Sequence, residues 1–414
     1  MKSYDLIVVG GGVGGSALAA VMARAGSSVL LLEPSLVYED HVRGEWIAPW
    51  GVAETRRLGL YDLLLRAGGH HLLRHVTYDE SLLPAQAEAR ALPLGIFAPD
   101  VPGPLCIGHP HHCQTLFDEA GRAGATALRG ARVTKIETSA SPSLSYEHDG
   151  AVHEVKARLI AAADGRTSPV RETAGIRLHQ DKAHHWFAGL LIDGAQGWDE
   201  VLQAVGTEGD FNFLAFPQGK GRVRVYGGYA LEQRKRFSGP DGKRNFLESF
   251  RMISSPNNKY LAAGIPAGPL FSYVNNDSWT SEPCAEGVVL VGDAAGWNDP
   301  IIGLGLSITY RDVRLIADIL KASRDWSKAA FAPYAEERRE RMRRLRFVAG
   351  LDATLNVEFG PAARERRRSY HERAAADPSL ALHGVAVMAG PESVPADTFT
   401  EAYRMRVLGT PPAP

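Results

Sequence analysis

The chain has 414 residues, too many for one simple core, so two intimately joined domains are expected. Its 46 Lys and Arg balance 47 Asp and Glu, and a net charge of −1 argues against nucleic acid or an anionic membrane as the main partner. Three cysteines (Cys106, Cys113, Cys284), none in a C-x-x-C pair, fit a reducing, cytoplasmic setting and offer neither a disulfide framework nor a thiolate metal site.

The N-terminus superficially resembles a signal peptide, but Asp5 and the glycines between 10 and 15 break that pattern. No run reaches the roughly 18 to 20 apolar residues needed to span a bilayer. Asp5–Val9 reads as a strand, Gly10–Gly15 as a glycine loop, Ser16–Ala25 as a helix and Ser28–Leu32 as a strand ending at Glu33. This is the β-α-β unit of a parallel sheet. The loop RGEWIAPWG (43–51) then feeds a helix over Val52–Ala67.

A helix is expected over residues 113–123, followed by strands at Ala131–Thr138, Leu144–His148 and Val152–Val155 and by the run Ala157–Ala163, which leads into DGRTSPVR. From His184 to Ala230 the pattern becomes β-rich and aromatic (HHWFAGLLI, FNFLAFP, RVRVYGGYA), the signature of a second, mostly antiparallel sheet. The first fold resumes at Gly287–Val291, with a helix from about Gly303 to Ala322. The basic helix around Ala335–Phe347 (AEERRERMRRLRF) reads as a solvated face, although its surplus of arginine also suits a clamp between domains or a phosphorylated cofactor. The tail, 375–414, is rich in turn residues and reads as irregular or loosely helical.

Gly10-x-Gly12-x-x-Gly15 lies between a predicted strand and helix, where glycines permit a tight turn, close approach of a pyrophosphate and close helix packing. Glu33 ends the next strand, where a carboxylate accepts hydrogen bonds from adenosine ribose hydroxyls. Together they point to FAD or NAD rather than NADP at this site. Three further segments bear on the choice: Arg43-Gly44-Glu45 with Pro49; Asp164-Gly165 with Ser168 and Arg171; and Gly292-Asp293 through Pro300, Gly303 and Gly305.

In this order and spacing the motifs resemble the FAD-dependent monooxygenases of the para-hydroxybenzoate hydroxylase family over roughly residues 1–350. The resemblance implies an α/β architecture: a Rossmann-like, GR2-type FAD-binding domain with an inserted, mostly antiparallel β-sheet substrate domain and a helical C-terminal region. FAD-binding parts would occupy 1–75, 111–180 and 283–350, substrate-domain parts 76–110 and 181–282, and the C-terminal region 351–414. Asp293 would hold the ribityl chain, and Pro300 to Gly305 would lie beside the flavin ring. Asp164, Gly165 and Arg171 would contact FAD and the nicotinamide cofactor, and Arg43 would sit near flavin and ribose. The family's second FAD-contacting arginine is missing before the helix near Cys113, where the chain reads CIGHPHHCQ, so His109, His111 or His112 would take its place. Without a matching carboxylate or cysteine set, HPHH is not read as a metal site.

The implied reaction is reduction of FAD by NADPH or NADH, addition of O₂ at flavin C4a and delivery of one oxygen from the hydroperoxide to a small substrate. No protein nucleophile is required. Strand alternation would place one of His184 and His185 in the pocket as an acid or base, although a structural role suits them too. Trp46, Trp297, Phe211, Phe213, Phe216, Tyr226 and Tyr229 would wall an aromatic or polycyclic substrate. Gly296 keeps a second reading open, because GDAAG and G-E-x-x-x-P also occur in geranylgeranyl-reductase-like flavoproteins that act on isoprenoid or polyketide double bonds. Flavin-dependent halogenases share the scaffold, but W-x-W-x-I-P is absent.

Overall fold

The computed structural model describes residues 1–42 and 44–409; Arg43, named above as a flavin-side residue, lies outside the described residues. Lys2–Val9 becomes strand because its apolar run is buried on both faces between two flanking strands. It pairs in parallel with Val29–Glu33 on one side and Ala151–Ala162 on the other. Thr126–Arg129 and Val288–Leu290 extend this parallel sheet in opposite directions. Val152–Val155 and Ala157–Ala163, expected as separate runs, form one 12-residue strand, because the hairpin strand Ser143–His148 pairs along its first half. The helix Val13–Arg24 is buried along most of its length, which its small residues allow.

The second sheet runs His185–Asp193, Arg222–Tyr229, Phe211–Gly219 and Leu202–Glu208 as antiparallel neighbours. Arg74–Asp79 then joins Leu202–Glu208 in parallel across more than a hundred residues of chain. Side chains alternate across this sheet. Phe211, Phe213 and Tyr229 turn back into an aromatic core with Phe237, Phe246 and Phe250, whereas Leu214, Phe216 and Tyr226 face the opposite way.

Three helical expectations change. Val52–Ala67 is two helices, Pro49–Arg57 and Tyr61–Arg66, because Gly59 takes a left-handed φ of 67° and ends the first. The C-terminal region is helical as the resemblance implies, but where 375–414 read as irregular or loose it forms ordered helices, following Pro361–Ala376 with Leu382–Ala389 and Glu401–Leu408, held by Leu351, Leu355, Leu380, Tyr403 and Val407 in a core of their own. The basic helix extends over Ala332–Asn356, and its arginines divide: Arg343 is exposed, whereas Arg338 and Arg341 are buried. No helix among the described residues is long and apolar enough to cross a membrane.

Candidate active site

One cavity of about 1110 Å³ begins at the glycine loop, passes the Pro300–Gly303 turn and opens between the second sheet and the C-terminal helices. At the loop end, each glycine has a separate steric reason. A Cβ on Gly15 would lie 1.9 Å from the Gly10 carbonyl oxygen, and one on Gly10 would lie 2.3 Å from that of Ala163, so these two pack the loop. A Cβ on Gly12 or Gly305 would meet nothing within 4 Å, and both residues border the cavity. The loop is held from behind by Glu33, which accepts from the Gly11 N–H at 2.7 Å and the Ser35 N–H at 2.8 Å.

Gly165, Gly292, Asp293, Pro300 and Gly303 also border the cavity. Arg166 donates to Asp293 at 3.1 Å and lies over the Trp297 ring. Asp164 and Arg171 stand behind this wall. Asp164 accepts from the Val170 N–H, and Arg171 donates to the carbonyls of Arg166 and Ala294, tying two of the motifs together. Arg338 supports the same turn from below, donating to the carbonyls of Gly292, Ala295 and Gly296 while paired with buried Asp312. Of the three histidines in HPHH, His109 borders the cavity, and buried His112 contacts the Tyr310 hydroxyl at 2.5 Å.

His184 and His185 do not border the cavity. The strand begins only at His185, so alternation does not govern the pair, and both rings turn to Asp299 at 3.5 and 3.4 Å. Asp299 caps the Pro300–Ile302 turn through the Ile301 N–H, so the histidines brace that turn.

The deeper chamber is walled by Trp46, Phe216 and Tyr226, with Leu94, Phe97, Leu355 and Met388 around them. Phe211 and Phe213 are absent from its wall because they occupy the rear face of their strand. Across it runs a hydrogen-bond chain absent from the sequence reading. The Trp46 indole donates to Gln203 Oε1 at 2.9 Å, Gln203 Nε2 donates to His75 Nδ1 at 3.0 Å, and His75 Nε2 donates to the Thr77 hydroxyl at 2.9 Å. An indole can only donate, so it fixes every direction that follows. Burial pulls His75 down to about 4, keeping it neutral. Glu45 joins the loop to this sheet, accepting from Tyr226 at 2.5 Å and pairing with Arg224 at 2.7 Å. Nothing local in sequence marks His75 or Gln203, since only the long-range pairing of Arg74–Asp79 with Leu202–Glu208 brings them together.

Residues 3–347 match the FAD binding domain family. The chain belongs to that family. This FAD-dependent oxidoreductase is 25% identical over 348 residues to the squalene epoxidase of Aspergillus fumigatus, a match covering 76% of the chain and 66% of that relative. It is 28% identical over 324 residues to digeranylgeranylglycerophospholipid reductase 1 of Methanococcoides burtonii, covering 73% and 71%. The structure of p-nitrophenol 4-monooxygenase from Pseudomonas putida DLL-E4 shares its fold at a TM-score of 0.77 and 19% identity, over 94% of this chain and 99% of that one.

The FAD-family residues present fit the cofactor. The open approaches at Gly12 and Gly305 leave backbone accessible, as a pyrophosphate and a flat ring require. The buried Trp297 Nε1 and Asp164 Oδ1 at this end have no protein partner. Gly296, where the oxygenase and reductase readings divide, has a steric cause: a Cβ there would lie 2.4 Å from the Ser278 carbonyl oxygen, at a φ of 102°. Local packing accounts for glycine at this position without reference to either chemistry.

Proposed function

We propose that this FAD enzyme is a single-component monooxygenase that uses NADPH or NADH and O₂ to place one oxygen atom on an aromatic or polycyclic small molecule. The observation that carries this reading is the continuity of the cavity, which joins the glycine loop and the Pro300–Gly303 turn to a deep, mainly apolar chamber. A reaction that must exclude water beside a reactive cofactor needs such a chamber.

In this reading Gly10, Gly12 and Gly15 shape the pyrophosphate site at the start of the helix Val13–Arg24, and Glu33 offers its remaining lone pairs to ribose hydroxyls. Asp293, steadied by Arg166, accepts from the ribityl hydroxyls. Gly165 belongs to the same wall, beside Arg166, and His109 takes the part of the family's second arginine. Pro300, Gly303 and Gly305 form the surface against the ring, and the first N–H groups of the helix Gly305–Ala322 favour negative charge there. Bound FAD supplies the electron transfer and the reaction with O₂. Trp46 and Tyr226 orient the substrate near the ring, while Asp164, Arg171, Arg338 and the Asp299 histidines hold the surrounding turns in place.

With a turned-over aromatic substrate, NAD(P)H consumption is expected to match O₂ uptake, and isotopically labelled O₂ should leave one labelled atom in the product. Anaerobic turnover that adds hydrogen to a double bond would replace this proposal with the reductase reading.

A further inference from the structure

The far end of the chamber holds two acceptors that face each other. Asp352, on the helix Ala332–Asn356, and His383, on Leu382–Ala389, both border the cavity, with His383 Nε2 3.6 Å from Asp352 Oδ1. The tautomer of His383 follows from its neighbours. The Tyr403 hydroxyl lies 2.9 Å from the Leu380 carbonyl, which can only accept, so its proton points there. The same oxygen then accepts from the His383 backbone N–H and from Nδ1, both at 3.2 Å. A proton on Nδ1 leaves a bare lone pair on Nε2, aimed at a carboxyl group. Burial holds the imidazole neutral, down at about 4.

Two lone pairs at this distance repel unless a donor lies against both. Without a ligand the donor is the carboxyl's own proton, and burial correspondingly raises Asp352 to about 7. The Tyr370 ring, 5.9 Å from that of His383, also borders the cavity and offers a π face that favours a cation. His383, Tyr370 and Tyr403 are the titratable groups facing Asp352. Arg367, also on the cavity wall, is neutralised by Asp79 and Glu80, and Arg90 lies on the exposed part of the wall.

We infer that Asp352 and His383 form the recognition site for a protonated amine carried on an otherwise apolar aromatic or polycyclic substrate. This rests on reading the cavity as the substrate chamber. The amine replaces the carboxyl proton as the donor between the two acceptors. Asp352 carries the counter-charge, and Leu355 and Met388 contact the apolar skeleton.

The test is calorimetric titration of the FAD-loaded full chain with three probes that share one ring system: 2-(1-naphthyl)ethylamine, 2-(1-naphthyl)ethanol and 1-naphthylacetate. The amine is expected to bind at least about tenfold more tightly than the other two at about pH 8, with the preference shrinking towards about pH 6 as Asp352 takes up its proton. Asp352→Asn should abolish the preference, and His383→Phe should reduce it several-fold. Equal binding of the three probes by the unmodified protein, or an unchanged preference in a FAD-retaining Asp352→Asn variant, overturns the inference. Should that variant lose FAD, a pH-independent preference in the unmodified protein overturns it equally. Amine preference without O₂-coupled NAD(P)H oxidation would remove the oxygenase reading and leave this site standing. Coupled oxidation of a neutral substrate with no amine preference would do the reverse.

Discussion

At the scale of single residues, the glycines of the first loop fall into two groups that sequence spacing does not separate. Gly15 is needed for the fold, because an added Cβ would sit 1.9 Å from a backbone oxygen that cannot move independently. Gly12 faces open cavity. Gly15→Ala is therefore expected to lower stability by about 3 kcal/mol or more, read from the denaturant midpoint of the FAD-free chain. Gly12→Ala should leave that midpoint unchanged and weaken FAD binding by about tenfold, read from recovery of flavin fluorescence on release. A Gly12→Ala variant with a lowered midpoint and unchanged FAD affinity would contradict this division. The motif spacing made the loop legible as a nucleotide site, but which glycine serves packing and which serves the ligand depends on atoms from distant strands, such as the Ala163 carbonyl.

At the scale of elements, the arginine-rich helix shows where pattern reading stops. Its sequence, AEERRERMRRLRF, looks like a solvated face, and Arg343, ion-paired to Glu340 at 2.7 Å, behaves as one. Arg338 and Arg341 lie on the buried side of the same helix and meet Asp312 of the helix Gly305–Ala322 at 3.1 and 2.7 Å. Charge alone could not reveal this, since burial of arginine requires a partner carboxylate that comes from another helix. Arg338→Ala would leave Asp312 with Arg341 as its remaining charged partner and three carbonyls without their donor, at an expected cost of about 3–5 kcal/mol. Arg343→Ala should cost less than about 0.5 kcal/mol. Urea unfolding of both variants checks the contrast, and comparable losses would show that Arg338 gains nothing from its buried setting. The strands of the parallel sheet were legible because each is an uninterrupted apolar run. The helical C-terminal region followed from the family resemblance, but the bounds of its separate helices were not legible, because turn residues such as Asp377-Pro378 and Gly390-Pro391 punctuate them and their stability comes from a core shared with the helix Ala332–Asn356.

At the scale of the whole molecule, the chamber is assembled from the loop near Trp46, the strand Arg74–Asp79, the second sheet and the segment from Asp352 to Met388. This explains why its cofactor end could be read from motifs and its far end could not: Asp352 sits near the end of the arginine-rich helix with no motif around it, and only the docked tail encloses it. That enclosure has a pH consequence. Asp352 titrates near 7 when folded and near the ordinary carboxyl value of 3.8 when unfolded. Between those values the folded chain holds a proton that the unfolded chain has released. The contribution of the neutral acid to stability is thus complete below about pH 4 and is lost as pH rises through 7. Asp277, raised to about 7 by burial and then by the charge of Asp299, adds a second loss over the same window. Stability of the full chain is therefore expected to fall between about pH 4 and pH 7 and to level off above that, with each such group contributing a slope of up to about 1.4 kcal/mol per pH unit. Asp352→Asn, which keeps the shape and cannot ionise, should remove its share of that slope and leave the share due to Asp277. Urea midpoints of both proteins across this range decide the matter, and identical slopes would mean that Asp352 ionises freely in the folded chamber.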